Sequence, residues 1–340
     1  MYSQTADTPC SSNLSICEPY LLYFGGIELI RSLPGPIVRI NPGELHIKDP
    51  DYFDEIYSPK GNKKRHKYAK WAKIGGSPTS TATTVDHDIH RYRRAAINPL
   101  FAKRSIVRLE PKVREKVNKL CERFAQFAKM SVPFRLDAAF SALTTDVITE
   151  YCYGHTYNYL DEPDFKLEWK ETMDSGFEGS AFRRATPWLT VLMQKFPSRF
   201  ILTIAPQVGS FIVFQNDVKS EAVKAVDSWQ QKKSMEESIF SELLESDLLP
   251  PSEKNVAHLL DEGTTIVAAG IETTAKVLAT TTFYILMTPG VVQRLRKELV
   301  NAMPSPTDIP TWTQLEQLPY LVSLPFKSDR SLFDVVNRMA

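Results

Sequence analysis

The chain has little cysteine, no surplus of charge of either sign and no long apolar run. Four cysteines in 340 residues are too few for a disulfide framework, and Cys10, Cys17, Cys121 and Cys152 show neither C-x-x-C spacing nor a Cys/His ligand pattern. A reducing compartment is the expectation. Lysine and arginine number 41 against 40 acidic residues, and the net charge of +1 excludes the field of a nucleic-acid binder. The best early apolar stretch, Tyr20 to Ile27, is flanked by Glu18, Pro19 and Glu28. It falls far short of the roughly 20 residues a membrane-spanning helix needs. No basic segment precedes it, so it reads as neither signal peptide nor anchor. Internal repeats and low-complexity tracts are also missing.

What is there is globular: 43% hydrophobic and 24% charged residues can build a sizeable core. Residues 1–34 read as a Ser-, Thr-, Pro- and Gly-containing leader without a membrane anchor. Ile37, Val38, Ile40, Leu45 and Ile47, divided by Pro42-Gly43, predict a small β-hairpin. Residues 60–73 carry seven lysines and arginines and read as a solvated face. A helix is expected from His87 to the Asn98-Pro99 break. A second begins after Ser105, where Ile106, Leu109, Val113, Val117, Leu120, Phe124 and Phe127 form one apolar stripe, with Cys121 read as a buried small hydrophobe beside it. Another fits Phe140 to Tyr153, stopped by Gly154. The fold class expected is mainly α with a minor N-terminal β-sheet.

The most informative segment is Asn255 to Met287, apolar on more than one side and far longer than an average helix. Its middle reads A-A-G-I-E-T-T. Gly270 costs about 1 kcal/mol against alanine inside a helix, and Glu272, Thr273 and Thr274 place a carboxylate and two hydroxyls where apolar side chains pack more cheaply. Two accounts are open. Either the motif carries chemistry, or Glu272 faces solvent and the threonines bond back to the preceding turn.

A small residue, glycine, any residue, an acid and paired threonines in a long central helix resembles the oxygen-activation motif of the cytochrome P-450 family. H-D-I-H-R-Y-R-R-A-A-I-N-P-L-F, from His87 to Phe101, is similar to that family's haem-propionate helix, with His90 and Arg94 one turn apart; a solvated basic helix is the alternative. G-P-I-V-R-I-N-P-G-E-L-H-I and D-V-I-T-E-Y-C-Y-G are similar to stretches of fungal members, in the group containing trichodiene oxygenase.

The resemblance implies a cytochrome P-450 domain over residues 35–321 and a monooxygenase acting on a small apolar substrate with dioxygen. Haem (iron protoporphyrin) would be the cofactor, with electrons from NADPH through a cytochrome P-450 reductase. It implies catalytic roles for Glu272 and Thr273 and cofactor contacts for His90, Arg94, Ala269 and Gly270. Family members associate with the endoplasmic reticulum membrane; with no anchor in this sequence the expectation is cytoplasmic.

The sequence also departs from the family. Lys327-Ser328-Asp329-Arg330 puts lysine where the E-x-x-R helix has its acid, and residues 322–340 read as an aberrant tail. The loop F-x-x-G-x-R-x-C-x-G, which carries the haem-ligating cysteine, does not occur in these 340 residues. A truncated cytochrome P-450 fold, with no metal ligand of its own, is therefore expected. A non-catalytic fragment, or a helical interaction protein without haem, is the alternative.

Overall fold

The computed structural model describes residues 35–41, 44–57, 64–72, 76–178, 203, 206–303, 305 and 309–326. The expected leader over residues 1–34 and the departure at Lys327 to Arg330 lie outside them. Helices dominate. The sheet is an antiparallel pair in which β1 (Ile37–Asn41) runs against β2 (Glu44–Ile47), with Ile37 opposite Ile47 and Val38 opposite His46. Both match the expected mainly α architecture.

Local signals set the helix boundaries. Helix α1 (His87–Ile97) starts where the Asp86 carboxylate accepts the amide hydrogens of Asp88 and Ile89. It ends where Pro99 has no N–H to offer and the chain turns through a 3-10 segment, Asn98–Phe101. Helix α2 (Lys103–Met130) buries Leu120 and Phe127, but Val117 stays exposed. Cys121 is exposed as well, against expectation. It follows Leu120 by about 100° of rotation, which carries it past the edge of the apolar stripe. Helix α3 (Leu136–Tyr153) stops at Gly154, whose φ of +86° is a left-handed cap that glycine adopts without strain.

Helices α4 (Leu167–Glu178), α5 (Pro206–Gln230) and α6 (Ile239–Glu245) lead to α7 (Val256–Met287), whose 32 residues begin where Asn255 accepts the His258 amide hydrogen. Helix α8 (Val291–Ala302) leaves at a bend of 109°. No single helix among the described residues is long and apolar enough to cross a membrane.

Helix α7 runs through the core, with Leu259, Val267, Ile271 and Ala275 fully buried. Each such aliphatic side chain contributes about 1.5–3 kcal/mol by leaving water. It packs on α3 and α5 and shares one core cluster with Ile97, Cys152, Trp169, Phe214, Val218 and Phe240. Two glycines make the approach close. A Cβ on Gly263 would stand 2.7 Å from the Phe240 ring, and one on Gly270 would stand 3.1 Å from Ile148 Cγ1 of α3.

Candidate functional site

The A-A-G-I-E-T-T turn of α7 divides its side chains among three neighbours. Ala269 and Thr273, four residues apart on one face, are exposed, and Val277 continues that open stripe. The Thr273 hydroxyl donates to Ala269 O at 2.7 Å, the back-bonding that the structural account of the motif foresaw. Gly270 faces elsewhere: the space its missing Cβ leaves is taken by Ile148. It serves the α3–α7 contact in this structure.

Glu272 points to neither side. Its Oε1 lies 3.3 Å from Lys170 Nζ on α4, and Lys170 also pairs with Asp174. Glu272 Oε2 has no hydrogen-bond partner among the described residues. Burial pushes this carboxyl above the ordinary glutamate range, with Lys170 pulling against it. The acid is therefore half-buried and ion-paired; it does not face solvent.

At its N-terminal end, the face that carries Ala269 and Thr273 continues through Ile266 to Glu262, by steps of three and four. There residues 76–84 are strapped across it. The Thr79 amide and hydroxyl both donate to Asp261 Oδ2, at 2.7 and 2.6 Å, and the Thr81 amide donates to Glu262 Oε2 at 2.7 Å. His258 Nδ1 lies 2.9 Å from Thr79 O. From the other side Lys67 Nζ donates to Thr81 O and Ala82 O, at 3.0 and 2.7 Å.

Helix α1 is locked to the same corner by Arg93. Its guanidinium forks onto Glu253, with Nε at 2.6 Å and Nη2 at 2.8 Å, and its Nη1 reaches Thr84 Oγ1 at 2.7 Å. The Tyr92 hydroxyl donates to the same Glu253. Thus fixed, α1 presents His90 and Arg94 towards Lys67. Burial lowers the His90 pKa, and the charges of Lys67, Arg94 and His87 lower it further. Burial likewise lowers Lys67, with Glu262 opposing and Arg94 adding. Lys67, His90, Arg94 and the Glu262 end of the open stripe therefore share one electrostatic neighbourhood.

Of the residues singled out from sequence, His90 and Arg94 lie near Lys67, and Ala269 and Thr273 are exposed on one face of α7. Gly270 and Glu272 are turned to α3 and α4. Sequence reasoning missed Lys67, Arg93, Glu253, Asp261 and Glu262. The signal that was available is the hydroxyl-rich run S-P-T-S-T-A-T-T at residues 77–84, whose polar groups require partners once buried. No group of three or more His, Cys, Asp or Glu side chains able to hold a metal ion occurs among the described residues.

Comparison with known proteins shows the family. A family model described as Cytochrome P450 matches residues 27–324. The chain is 37% identical over 322 residues to cytochrome P450 monooxygenase TRI4 of Trichoderma arundinaceum, covering 93% of this chain and 61% of that protein. It is 39% identical to TRI4 of Fusarium sporotrichioides, over 93% of this chain and 60% of that protein. With a tryptophan 6-hydroxylase of Fusarium equiseti the identity is 36%, over 93% of this chain and 62% of that protein. The chain thus spans about three fifths of the length of these curated relatives. With the matched region running from the strand pair through the central helix, the chain belongs to the cytochrome P450 family.

Proposed function

We propose that the protein is a haem-dependent monooxygenase of fungal secondary metabolism. It would act on a small apolar molecule with dioxygen, and take electrons from NADPH through a cytochrome P-450 reductase. The observation that carries this reading is the exposed Ala269–Thr273 stripe of α7, on a face whose N-terminal end, Glu262, is within reach of the Lys67 charge. An exposed stripe with one hydroxyl, and basic side chains grouped near the Glu262 end of the same helix, suit a planar apolar ring that bears carboxylates.

The fit is partial. His90 and Arg94 would hold the carboxylates, the arginine through its two-pronged guanidinium. Ala269 would lie against the ring face. In this family the bound haem supplies dioxygen activation through a thiolate-ligated iron. Neither described cysteine suits that ligand. Cys152 is fully buried in the core, its thiol pushed up by burial, and Cys121 is on the outer side of α2. The described residues would supply partners for the propionates and one face of the ring, and contain no suitable axial thiolate.

The chain's own groups then divide the proton work. Thr273 Oγ1 holds its proton towards Ala269 O and borders the open side. Glu272, one residue earlier, is a carboxyl raised by burial and restrained by Lys170, a placement that suits a proton reservoir.

The test is the reduced, carbon-monoxide-bound difference spectrum of the full-length protein, with haem content measured in parallel. The expected result is the absorption maximum for which the family is named, and haem content reduced by His90→Ala and by Arg94→Ala. A full-length protein that binds no haem, or that binds it equally in both variants, overturns the reading.

A further inference from the structure

A cleft of about 290 Å³ opens between the segment that follows α3 and the first turns of α4 and α5. None of its lining residues belongs to α7 or to the strap at 76–84. Its walls are aromatic: Tyr157, Tyr159, Trp169 and Phe214. Their rings form a continuous chain, with centroids 5.6 Å apart for Tyr157 and Tyr159, 5.9 Å for Tyr159 and Trp169, and 5.0 Å for Trp169 and Phe214. The last two pairs meet edge to face. Two carboxylates, Glu168 and Asp217, stand in the lining against one cation, Lys166.

Two observations indicate what this cleft would take. Aromatic faces attract a cation within about 6 Å of the ring centroid, most strongly where water is thinned out. Asp217 is near enough to both phenols for its charge to act on Tyr157 and Tyr159. Glu168 already accepts the Ser210 hydroxyl at 3.1 Å. A neutral apolar guest would fill the cleft but leave Asp217 unanswered.

We propose that the cleft is a binding site for an organic ammonium ion: a protonated amine carrying a short apolar or aromatic group. The apolar part would lie along Trp169 and Phe214. The N–H donors would face Asp217. Desolvation, followed by the neighbouring Glu221, already pushes the Asp217 carboxyl up, so the rim carries uncompensated negative charge that a cation would relieve. Glu221 itself is occupied by Lys224 and lies 4.0 Å from His155, which leaves Asp217 as the carboxylate without a partner among the described residues.

The proposal does not depend on haem or on the reading of α7. Its test is titration calorimetry of the full-length protein with phenethylammonium, and with phenethyl alcohol as the uncharged analogue of similar shape. Saturable binding of the ammonium is expected, with the alcohol at least about tenfold weaker. Asp217→Asn should weaken the ammonium by about tenfold or more and leave the alcohol unchanged; Asp217 is exposed, so this variant is expected to fold, which its thermal unfolding would verify. Thr273→Ala, on the other side of the proposed chemistry, should leave both probes unaffected. No saturable heat, equal affinity for ammonium and alcohol, or an Asp217→Asn protein that binds as the parent does would each overturn the proposal.

Discussion

Glu262 Oε2 accepts the Thr81 amide hydrogen at 2.7 Å across 181 residues of sequence, and both residues are buried. This bond, with the Asp261–Thr79 pair beside it, holds the strap against the central helix. Glu262→Ala would orphan a buried N–H, at a cost of about 1–3 kcal/mol. Glu262→Gln retains an acceptor oxygen and should lose much less. Urea titrations of the two variants would show whether that order holds.

The same carboxyl predicts a pH effect opposite to that of its neighbour Glu253. Burial, only partly offset by the Thr81 amide, raises Glu262 above the ordinary 4.5. The folded state then binds more protons than the unfolded chain, so this group's contribution to stability falls as pH rises from 4.5 through the raised value. Burial alone would also raise Glu253, but Arg93 and Tyr92 donate to it and hold it below 4.5. Its contribution is present above 4.5 and is lost as pH falls through the depressed value. Unfolding curves across this range should lose the first slope in Glu262→Gln and the second in Glu253→Gln.

Gly263→Ala and Gly270→Ala should behave differently, though both glycines lie in one helix. Alanine is about 1 kcal/mol better than glycine in a helix interior. At Gly263 the added Cβ would stand 2.7 and 2.9 Å from two atoms of the buried Phe240 ring, where overpacking costs about 1–3 kcal/mol or more. At Gly270 the nearest atom is Ile148 Cγ1 at 3.1 Å, a contact that a small shift relieves. Thermal unfolding should show a clear loss for Gly263→Ala, largely recovered by adding Phe240→Leu, and a change near zero for Gly270→Ala.

Lys170 is 6% exposed and bridges Asp174 and Glu272. Lys170→Met removes the cation between two carboxylates and should destabilise by about 2 kcal/mol, less than for a fully buried pair because Asp174 is partly exposed. Adding Glu272→Gln should return most of that loss. A double-mutant cycle in which the two changes simply add would disprove the coupling.

How much of this was legible depended on the range over which a residue acts. Helix α7, the break at Asn98-Pro99 and the Gly154 stop all follow from neighbours within a turn or two. The hairpin followed from alternation around Pro42-Gly43 in the same way. By contrast, Arg93 meets Glu253 across 160 residues and Thr79 meets Asp261 across 182. No periodicity records such a pairing. Lys67 lay within a lysine-rich run that reads as solvated, and only the folded strap turns it onto Thr81 and Ala82. Cys121 shows the same limit on a smaller scale, since one residue of rotation separates the stripe from the water. At the motif, composition marked A-A-G-I-E-T-T as unusual, but the direction of each side chain depends on which helices lie alongside.

The Thr144 hydroxyl of α3, which bonds back to Phe140 O at 2.9 Å, also lies 3.2 Å from the Ile271 carbonyl of α7, one residue from the Gly270–Ile148 contact. Ile271 and Ala275 are fully buried and the two helices meet closely here, so this turn belongs with the last part of the protein to open. Amide hydrogens around Ile271 to Ala275 should exchange with solvent only through near-global unfolding. Yet Thr273, in the middle of that stretch, presents its side chain outward. The turn therefore joins two properties that rarely coincide: a backbone among the slowest to fluctuate and a hydroxyl open to whatever occupies the adjoining space.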